Sequence, residues 1–469
     1  MTVDSDLIAS LVQREFGKLP TKRKPVIRDN GLHEWVPLSG IVSEEKDGRL
    51  TCLALATGMK CLPSSKLPQA QGNVLHDWHA EVLAIRAFNC FVLDECRALA
   101  SGSKSSSPFI RRRDGAEIAA IPNSVELHNG DENWHSQPFA WREDVILHMY
   151  CSEAPCGDAS MELTMASQED ATPWSIPVVP QQETLSIPSI VPDSAPDTLL
   201  PGRAYFSQLG IVRRKPSRGD APSTLSKSCS DKLSLHQCMS LLSSPTSLLV
   251  SPEHAYISTL ILPTSQYSAS GCKRAFSDGQ GEKDAGSQQA RMAPLVAQDS
   301  NGNQGGGYNF RPFTVKTTDI EFAYSRRAAS NPQEPNSTPT VKPKITPSNL
   351  AVALTASNRV ETTLNGVLQG HKASQAHIRG SSFTSRRRLW SSAVEVASLL
   401  PLANAQDIGS IQPVQQALGV PISAGTRAKT YRDLKGSSLL EPRRRAKQAA
   451  RDLALKGWVR NIGDEDFVL

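Results

Sequence analysis

No run of apolar residues in this 469-residue sequence reaches the roughly 18 to 20 needed to span a bilayer as a helix, which argues against a helical membrane protein. The first residues, Met1-Thr2-Val3-Asp4-Ser5-Asp6, lack an apolar signal core. The nine cysteines are odd in number and scattered, unlike a disulfide framework. Both absences point to a reducing compartment, nucleus or cytoplasm, and not to secretion. A strong excess of one charge is also missing: 51 Lys and Arg against 46 Asp and Glu leave +5, too mild to argue for nucleic acid by itself. No internal repeat and no small RNA-binding module is legible, and no obligate protein partner is evident. Positive charge is concentrated locally instead, at Arg111-Arg112-Arg113, Arg213-Arg214-Lys215, Arg386-Arg387-Arg388 and Arg443-Arg444-Arg445. Such runs either solvate a surface or hold phosphates.

The length suits one large domain carrying insertions. In residues 6–16, Leu7, Ile8, Leu11, Val12 and Phe16 recur with helical period and predict an amphipathic opening helix. Apolar runs at 35–42 and 50–58 flank the turn-prone Glu45-Lys46-Asp47-Gly48 and predict a hairpin. Residues 79–99 contain no Gly or Pro and carry Val82, Leu83, Ile85, Phe88, Phe91, Val92 and Cys96, which predicts a helix buried over most of its face. Residues 145–151 read as a strand, and Pro155 predicts a helix starting at Cys156. Further helices are expected after Ser228 and across the basic segment 430–458. Strand pieces are expected at 248–250, 313–315 and 320–322, with 255–262 left as strand or helix. Polar stretches at 167–201, 266–307 and 331–348 are predicted to be disordered insertions.

The densest chemistry lies in Asp77-Trp78-His79-Ala80-Glu81-Val82. An imidazole that can ligate zinc, followed two residues later by a carboxylate that can carry a proton, opens the zinc-deaminase signature, and Pro155-Cys156 supplies its second half. Compact deaminases place another cysteine three residues on, where this chain has Ala159, so a third ligand must come from elsewhere. Cys229, in Ser-Cys-Ser-Asp-Lys ahead of a predicted helix, repeats the context of Cys156, where free N–H groups favour a thiolate. Cys151 sits in a strand pattern, and Cys52, Cys90, Cys96 and Cys238 sit among apolar residues, as small buried hydrophobes usually do. Glu81 does not share a helical face with His79, which leaves it as the proton carrier and not a ligand.

Asp-x-His-Ala-Glu, then Pro-Cys-Gly-Asp-Ala at 155–159, then Ser-Cys-Ser-Asp-Lys at 228–232, resemble the RNA adenosine deaminase domain family; 56–62 resembles that domain's Gly-Thr-Lys-Cys strand. The resemblance is nearest to the eukaryotic tRNA-acting branch, since no duplex-binding module precedes the domain. It implies a three-layer α/β/α cytidine-deaminase-like fold with a mixed central sheet and a C-terminal helical extension, one domain across 1–469. It also implies Zn2+ on His79, Cys156 and Cys229, with Glu81 catalytic, and hydrolysis of adenosine to inosine at position 37, beside the anticodon of alanine tRNA. A buried inositol hexakisphosphate is implied as well. Its candidate contacts in the matching places are Asp77, Arg86, Lys215, Lys232, Tyr431, Lys435, Lys447 and Trp458, with Asp77 and Lys215 linking it to the zinc. Ile85, Leu235, His236 and Arg443 stand where the family pattern has arginine, arginine, tryptophan and tyrosine. Two other readings are open: a deaminase editing duplex RNA, and a catalytically inactive zinc-binding RNA adaptor.

Overall fold

A computed structural model describes residues 4–119, 135–168, 172, 206–215, 221–280, 290–299, 305–331, 343–375, 377–401, 411–421 and 428–469. Its centre is an eight-stranded mixed sheet. The strands are β1 (Leu38–Glu44), β2 (Leu50–Thr57), β3 (Ile146–Cys151), β4 (Ile257–Pro263), β5 (Thr314–Thr318), β6 (Leu350–Thr355), β7 (Val360–Leu364) and β8 (Val367–Leu368). Their order across the sheet is β8-β7-β6-β2-β1-β3-β4-β5. The predicted hairpin is β1–β2, antiparallel, with Gly48 N–H donating to the Glu45 carbonyl across its turn. Strands β3, β4 and β5 run parallel to one another. Residues 255–262 thus resolve as strand, because parallel neighbours on both sides take up their backbone groups.

Alternation along the strands divides the core in two. Leu38 and Val42 of β1 join Leu55, Tyr150 and Ile261 under helix α1 (Ser5–Gly17), while Ile41 and Met149 face helix α2 (Ala80–Ala100). Asp4 caps α1 by accepting from the Asp6 and Leu7 N–H groups, and Ile8, Ala9, Leu11, Val12 and Phe16 form its buried stripe. Leu7, expected in that stripe, is 58% exposed, and Ala9 takes its place. On the α2 face also lie α3 (Cys229–Met239) and α4 (Ala269–Phe276), and α5 (Arg386–Ser398) packs against α2. The C-terminal extension comprises α5, α6 (Tyr431–Gly436) and α7 (Glu441–Leu453), with a short helix Gln412–Leu418 between α5 and α6. No described helix is long and apolar enough to cross a membrane.

Several expectations are corrected. The run 35–42 is not one strand: His33–Trp35 pairs in parallel with Ile345–Pro347 outside the main sheet, and Pro37, which lacks an N–H, falls in the break. Residues 320–322 form no strand; Phe322 packs edge-on against Phe16. The polar stretches at 266–307 and 331–348 contain regular structure in their described parts, namely α4, a helix Pro294–Asp299, and the strand Ile345–Pro347. Composition misled here because Arg274 of α4 is buried against Asp158 and Glu162, so a polar sequence packs through ion pairs. The stretch 167–201 lies almost wholly outside the described residues.

At Gly40 of β1, an added Cβ would stand 2.6 Å from Val12 Cγ1, so the absence of a side chain sets how closely α1 seats on the sheet. Gly40→Ala should lower stability by about 1–3 kcal/mol in urea unfolding. Val12→Ala should cost less in that background than in wild type, because both changes act on one contact.

Candidate metal centre and cationic cavity

Three elements converge beyond the C-terminal end of β3. His79 is the N-cap of α2, extended at φ −60° and ψ 143°, so its ring stands clear of the first turn. Cys156 follows β3 in a turn and does not start a helix as expected: the next helical turn is Asp158–Ser160, and Gly157 between them has φ 106°. A Cβ on Gly157 would fall 2.3 Å from Ser228 Oγ, so only glycine allows the two cysteine-bearing segments to approach. Cys229 begins α3, whose cap Ser228 accepts from the Asp231 N–H. Ser230 Oγ donates to the Pro155 carbonyl at 2.9 Å and accepts from the Ala159 N–H at 3.2 Å, which pins α3 to that turn. The position occupied by cysteine in compact deaminases is therefore a backbone docking point.

The ligand atoms of His79, Cys156 and Cys229 all lie within 4.8 Å of one another. His79 Nδ1 is 3.8 Å from Cys156 Sγ, which also accepts from the Cys229 N–H at 3.3 Å. A hydrogen bond from the Cys229 side chain, with the charges of Lys215 and His79, outweighs burial and holds the Cys156 thiol well below its ordinary pKa. Two sulfurs and an imidazole, with one thiolate favoured, form a possible metal site of the kind that keeps a coordination position open. Glu81 lies in the first turn of α2 and is 6% exposed; burial raises its carboxyl above its ordinary value, as suits a group that must both take and give a proton. Cys61, beside Asp77 and His79 within the same 4.8 Å limit, belongs to this cluster too and was not singled out as a site residue. The signal was its place in the strand segment that resembles the family's Gly-Thr-Lys-Cys.

Behind His79 sits Asp77. Its Oδ1 accepts from the His79 N–H at 3.0 Å, and its Oδ2 accepts from Lys215 Nζ at 2.8 Å, from Ser226 Oγ at 2.6 Å and from Lys232 Nζ. Lys215 Nζ also donates to Cys229 Sγ at 3.1 Å. Burial alone would raise the Asp77 carboxyl, but Lys215 and Lys232 outweigh it and hold it well below the usual carboxylate range.

On the far side of Asp77 opens a cavity of about 760 Å³. Arg86, Lys227, Lys232, Arg386, Arg432, Lys435, Arg443, Arg444, Arg445, Lys447, Arg451 and Arg460 line it, against only three carboxylates, Asp77, Glu441 and Glu465. Of the residues expected here, Asp77, Arg86, Lys232, Lys435, Lys447 and Trp458 line the cavity. Lys215 does not; it lies between Asp77 and Cys229. Tyr431 does not either: it is buried with its ring stacked on Phe467 at 5.0 Å, and Lys435 Nζ lies 5.9 Å from its centroid. Reading missed Lys227, Arg386 and Arg451. A legible signal was the four-residue spacing Arg443, Lys447, Arg451, which puts three cations on one face of α7. At the departures from the family pattern, Leu235 joins an apolar cluster with Ala450 and Ala454, His236 Nδ1–H donates to the Ser240 carbonyl at 2.7 Å, and Arg443 itself enters the lining.

With this geometry described, comparison with known proteins identifies the fold. The model of the adenosine-deaminase (editase) domain matches residues 54–462. The chain belongs to that family. It is 38% identical to tRNA-specific adenosine deaminase 1 of Schizosaccharomyces pombe over 323 residues, 68% of this chain and 70% of that one. It is 36% identical to the Saccharomyces cerevisiae protein of the same name over 238 residues, half of this chain and 52% of that one. With mouse double-stranded RNA-specific editase B2 the identity is 26% over 159 residues, 18% of that protein. The eight-stranded mixed sheet with helices on both faces accords with a cytidine-deaminase-like fold in this adenosine deaminase.

The cations of the deaminase's cavity oppose one another. Burial, then Arg451, Lys435, Arg443 and Arg386, push the Lys447 ammonium well below its ordinary value; burial and Arg386 push Lys435 from 10.5 to about 8. Between those last two values the unfolded chain holds more protons on Lys435 than the folded one, so folding stability rises with pH. Urea midpoints of anion-depleted protein should therefore climb from about pH 8 to 10.5, and Lys435→Met should flatten part of the climb. A wild-type profile that falls over this range would contradict the crowding of cations.

Proposed function

We propose that this chain hydrolyses adenosine to inosine in tRNA, at position 37 beside the anticodon of alanine tRNA, as a single deaminase domain interrupted by insertions at 167–201, 266–307 and 331–348. The observation that carries the reading is the convergence of His79, Cys156 and Cys229 next to buried Glu81. The names of the two fungal relatives favour tRNA over duplex RNA. An intact Glu81 weighs against an inactive adaptor. We assign the protein to the nucleus or cytoplasm, working without an obligate protein partner.

In this reading His79, Cys156 and Cys229 hold Zn2+, and a thiolate-imidazole donor set fits that borderline-soft ion. When bound, the metal supplies Lewis acidity and brings a water's pKa towards about 7. Glu81 takes a proton from the attacking water and passes it to the ring nitrogen of adenine; it then takes the remaining proton from the hydroxyl added at the ring carbon and gives it to the amine, so that ammonia leaves as the carbonyl forms. Its buried position keeps that proton from exchanging with bulk solvent. Lys215 fixes the Cys229 sulfur, and the Asp77 carboxylate fixes both Lys215 and the backbone of His79. An anticodon-loop base costs less to extrude into such a site than a base in a duplex.

The second cofactor in this reading is inositol hexakisphosphate in the cationic cavity, held by Arg86, Lys232, Lys435, Lys447 and Trp458, with Asp77, Lys215 and Tyr431 supporting them. The fit rests on chemistry: so many buried like charges are costly without a polyanion among them.

Glu81→Gln should lower inosine formation on anticodon-arm RNA by about 10²-fold or more while leaving RNA binding unchanged. Full activity in that variant would remove Glu81 from the mechanism. Wild type that acts on long duplex RNA and not on tRNA would transfer the chain to the editing class, and binding with no inosine at all would make it an adaptor. Elemental analysis of purified protein should find one zinc per chain together with phosphorus in the ratio of a hexakisphosphate. Zinc without phosphorus would remove the second cofactor.

A further inference from the structure

Outside the main sheet, the small parallel pair of His33–Trp35 and Ile345–Pro347 forms a platform that neither the metal centre nor the cavity uses. The segment leading into it folds back through an Ile27–His33 bridge and a turn at Arg28, and a short helix, Arg326–Ser330, packs beside it. Arg326, Arg327 and Lys344 are exposed, and Arg28 is partly so. Trp35 is half-buried, with the Arg326 guanidinium 5.9 Å from its ring centroid. Glu34 and Glu321 each pair with one of these arginines, Arg28 and Arg327 respectively, which leaves Arg326 and Lys344 in excess.

Two connections put the platform at the edge of the metal centre. The Arg326 N–H donates to Glu153 at 2.9 Å, and Glu153 is in the loop that carries Cys156. On the other side Lys60, whose carbonyl accepts from the Trp78 N–H at 3.0 Å, reaches Asn349 just past the strand Ile345–Pro347. The platform is separate from the buried cavity, which opens on the far side of Asp77.

We propose that this platform is a docking surface for single-stranded RNA flanking the reacting nucleotide, with Arg326 and Lys344 on phosphates and Trp35 beside Arg326 as a stacking face for one base. The inference rests on the proposed RNA substrate. Cations interleaved with a half-exposed aromatic, next to a reaction centre and not on a remote face, are what unpaired RNA needs: charge to follow its backbone and a π-face to take a splayed base. Trp35 keeps its own backbone engaged through the Ser348 N–H, so its ring is presented from a fixed strand and not from a loose loop.

The test is steady-state deamination of an anticodon stem-loop RNA by the full chain, with the double variant Arg326→Glu/Lys344→Glu, and with Lys46→Glu at the opposite end of β1 as a charge control. We expect KM to rise roughly tenfold or more in the double variant with kcat within about twofold, the salt dependence of binding to weaken by about one unit of slope per lost phosphate contact, and the control to match wild type. Trp35→Ala should raise KM, and Trp35→Phe should restore most of the loss; urea midpoints within error of wild type would show that the fold is intact. If wild type makes inosine and the double variant keeps its KM and salt slope, the platform is not the docking surface, although the proposed reaction stands. Equal loss in Lys46→Glu would likewise overturn the inference, since it would show a general charge effect. Wild type without activity on any RNA would instead remove the reaction on which the inference depends.

Discussion

One carboxylate ties the two halves of this molecule together. Asp77 is 5% exposed and receives the His79 backbone on one oxygen and Lys215, Ser226 and Lys232 on the other. Lys215, Ser226 and Lys232 lie 138, 149 and 155 residues from Asp77 in sequence. Burying such an ion pair brings little net stability, since the desolvation of both charges offsets their attraction. Its value lies in geometry: removing either partner strands a buried charge, at a cost of about 3–5 kcal/mol, so the segments that carry the site residues are held in one arrangement. Lys215 extends the same constraint to Cys229, and Lys232 extends it to the cavity wall.

Two positive systems stand apart in this molecule. In the inner one, the cavity lined by Asp77, crowded cations push Lys435 and Lys447 below their ordinary pKa values, the setting in which the proposed polyanion would relieve them. The outer one, on the platform around Trp35, is exposed and interleaved with an aromatic, a surface that a polymer can engage and release. A single net charge of +5 hides both, because the acids are spread over the rest of the chain while the cations are gathered. Charge composition is thus a poor guide here, and charge placement a good one.

How much could be read beforehand follows the range of the interactions concerned. α1, α2, the β1–β2 hairpin and the motif around His79 are local patterns, and all were legible from periodicity, turn residues and a short signature. Cys229 was legible only because its Ser-Cys-Ser-Asp context repeats that of a helix start. What failed was non-local. The helix α4 sits in a stretch poor in apolar residues; beside the few it buries, Cys272, Ala275 and Phe276, it is held by the pairing of Arg274 with Asp158 and Glu162, more than a hundred residues earlier. The starting point of a helix at Cys156 was misplaced because Pro155 suggested one, whereas Gly157 must first turn the chain beneath Ser228. The strand Ile345–Pro347 has no alternation of its own and exists as a strand only because His33–Trp35 lies alongside.

The same distinction bears on how the metal centre is assembled. In a compact deaminase two of three ligands share one helix start, so most of the site forms as soon as that turn does. Here Ala159 donates its N–H to Ser230 Oγ, and the second sulfur arrives on α3, across a long intervening segment. Neither Cys156 nor Cys229 can reach His79 until β3 has paired with β1 and α3 has docked through Ser230 on the Pro155 turn. Metal affinity is then coupled to the folding of the whole domain and not to a local loop, since a preformed ligand set does not exist in the unfolded chain. Substitutions that loosen Asp77, Gly157 or the α3 cap, none of them a proposed ligand, should weaken metal retention and the architecture together, because in this chain they are one structure.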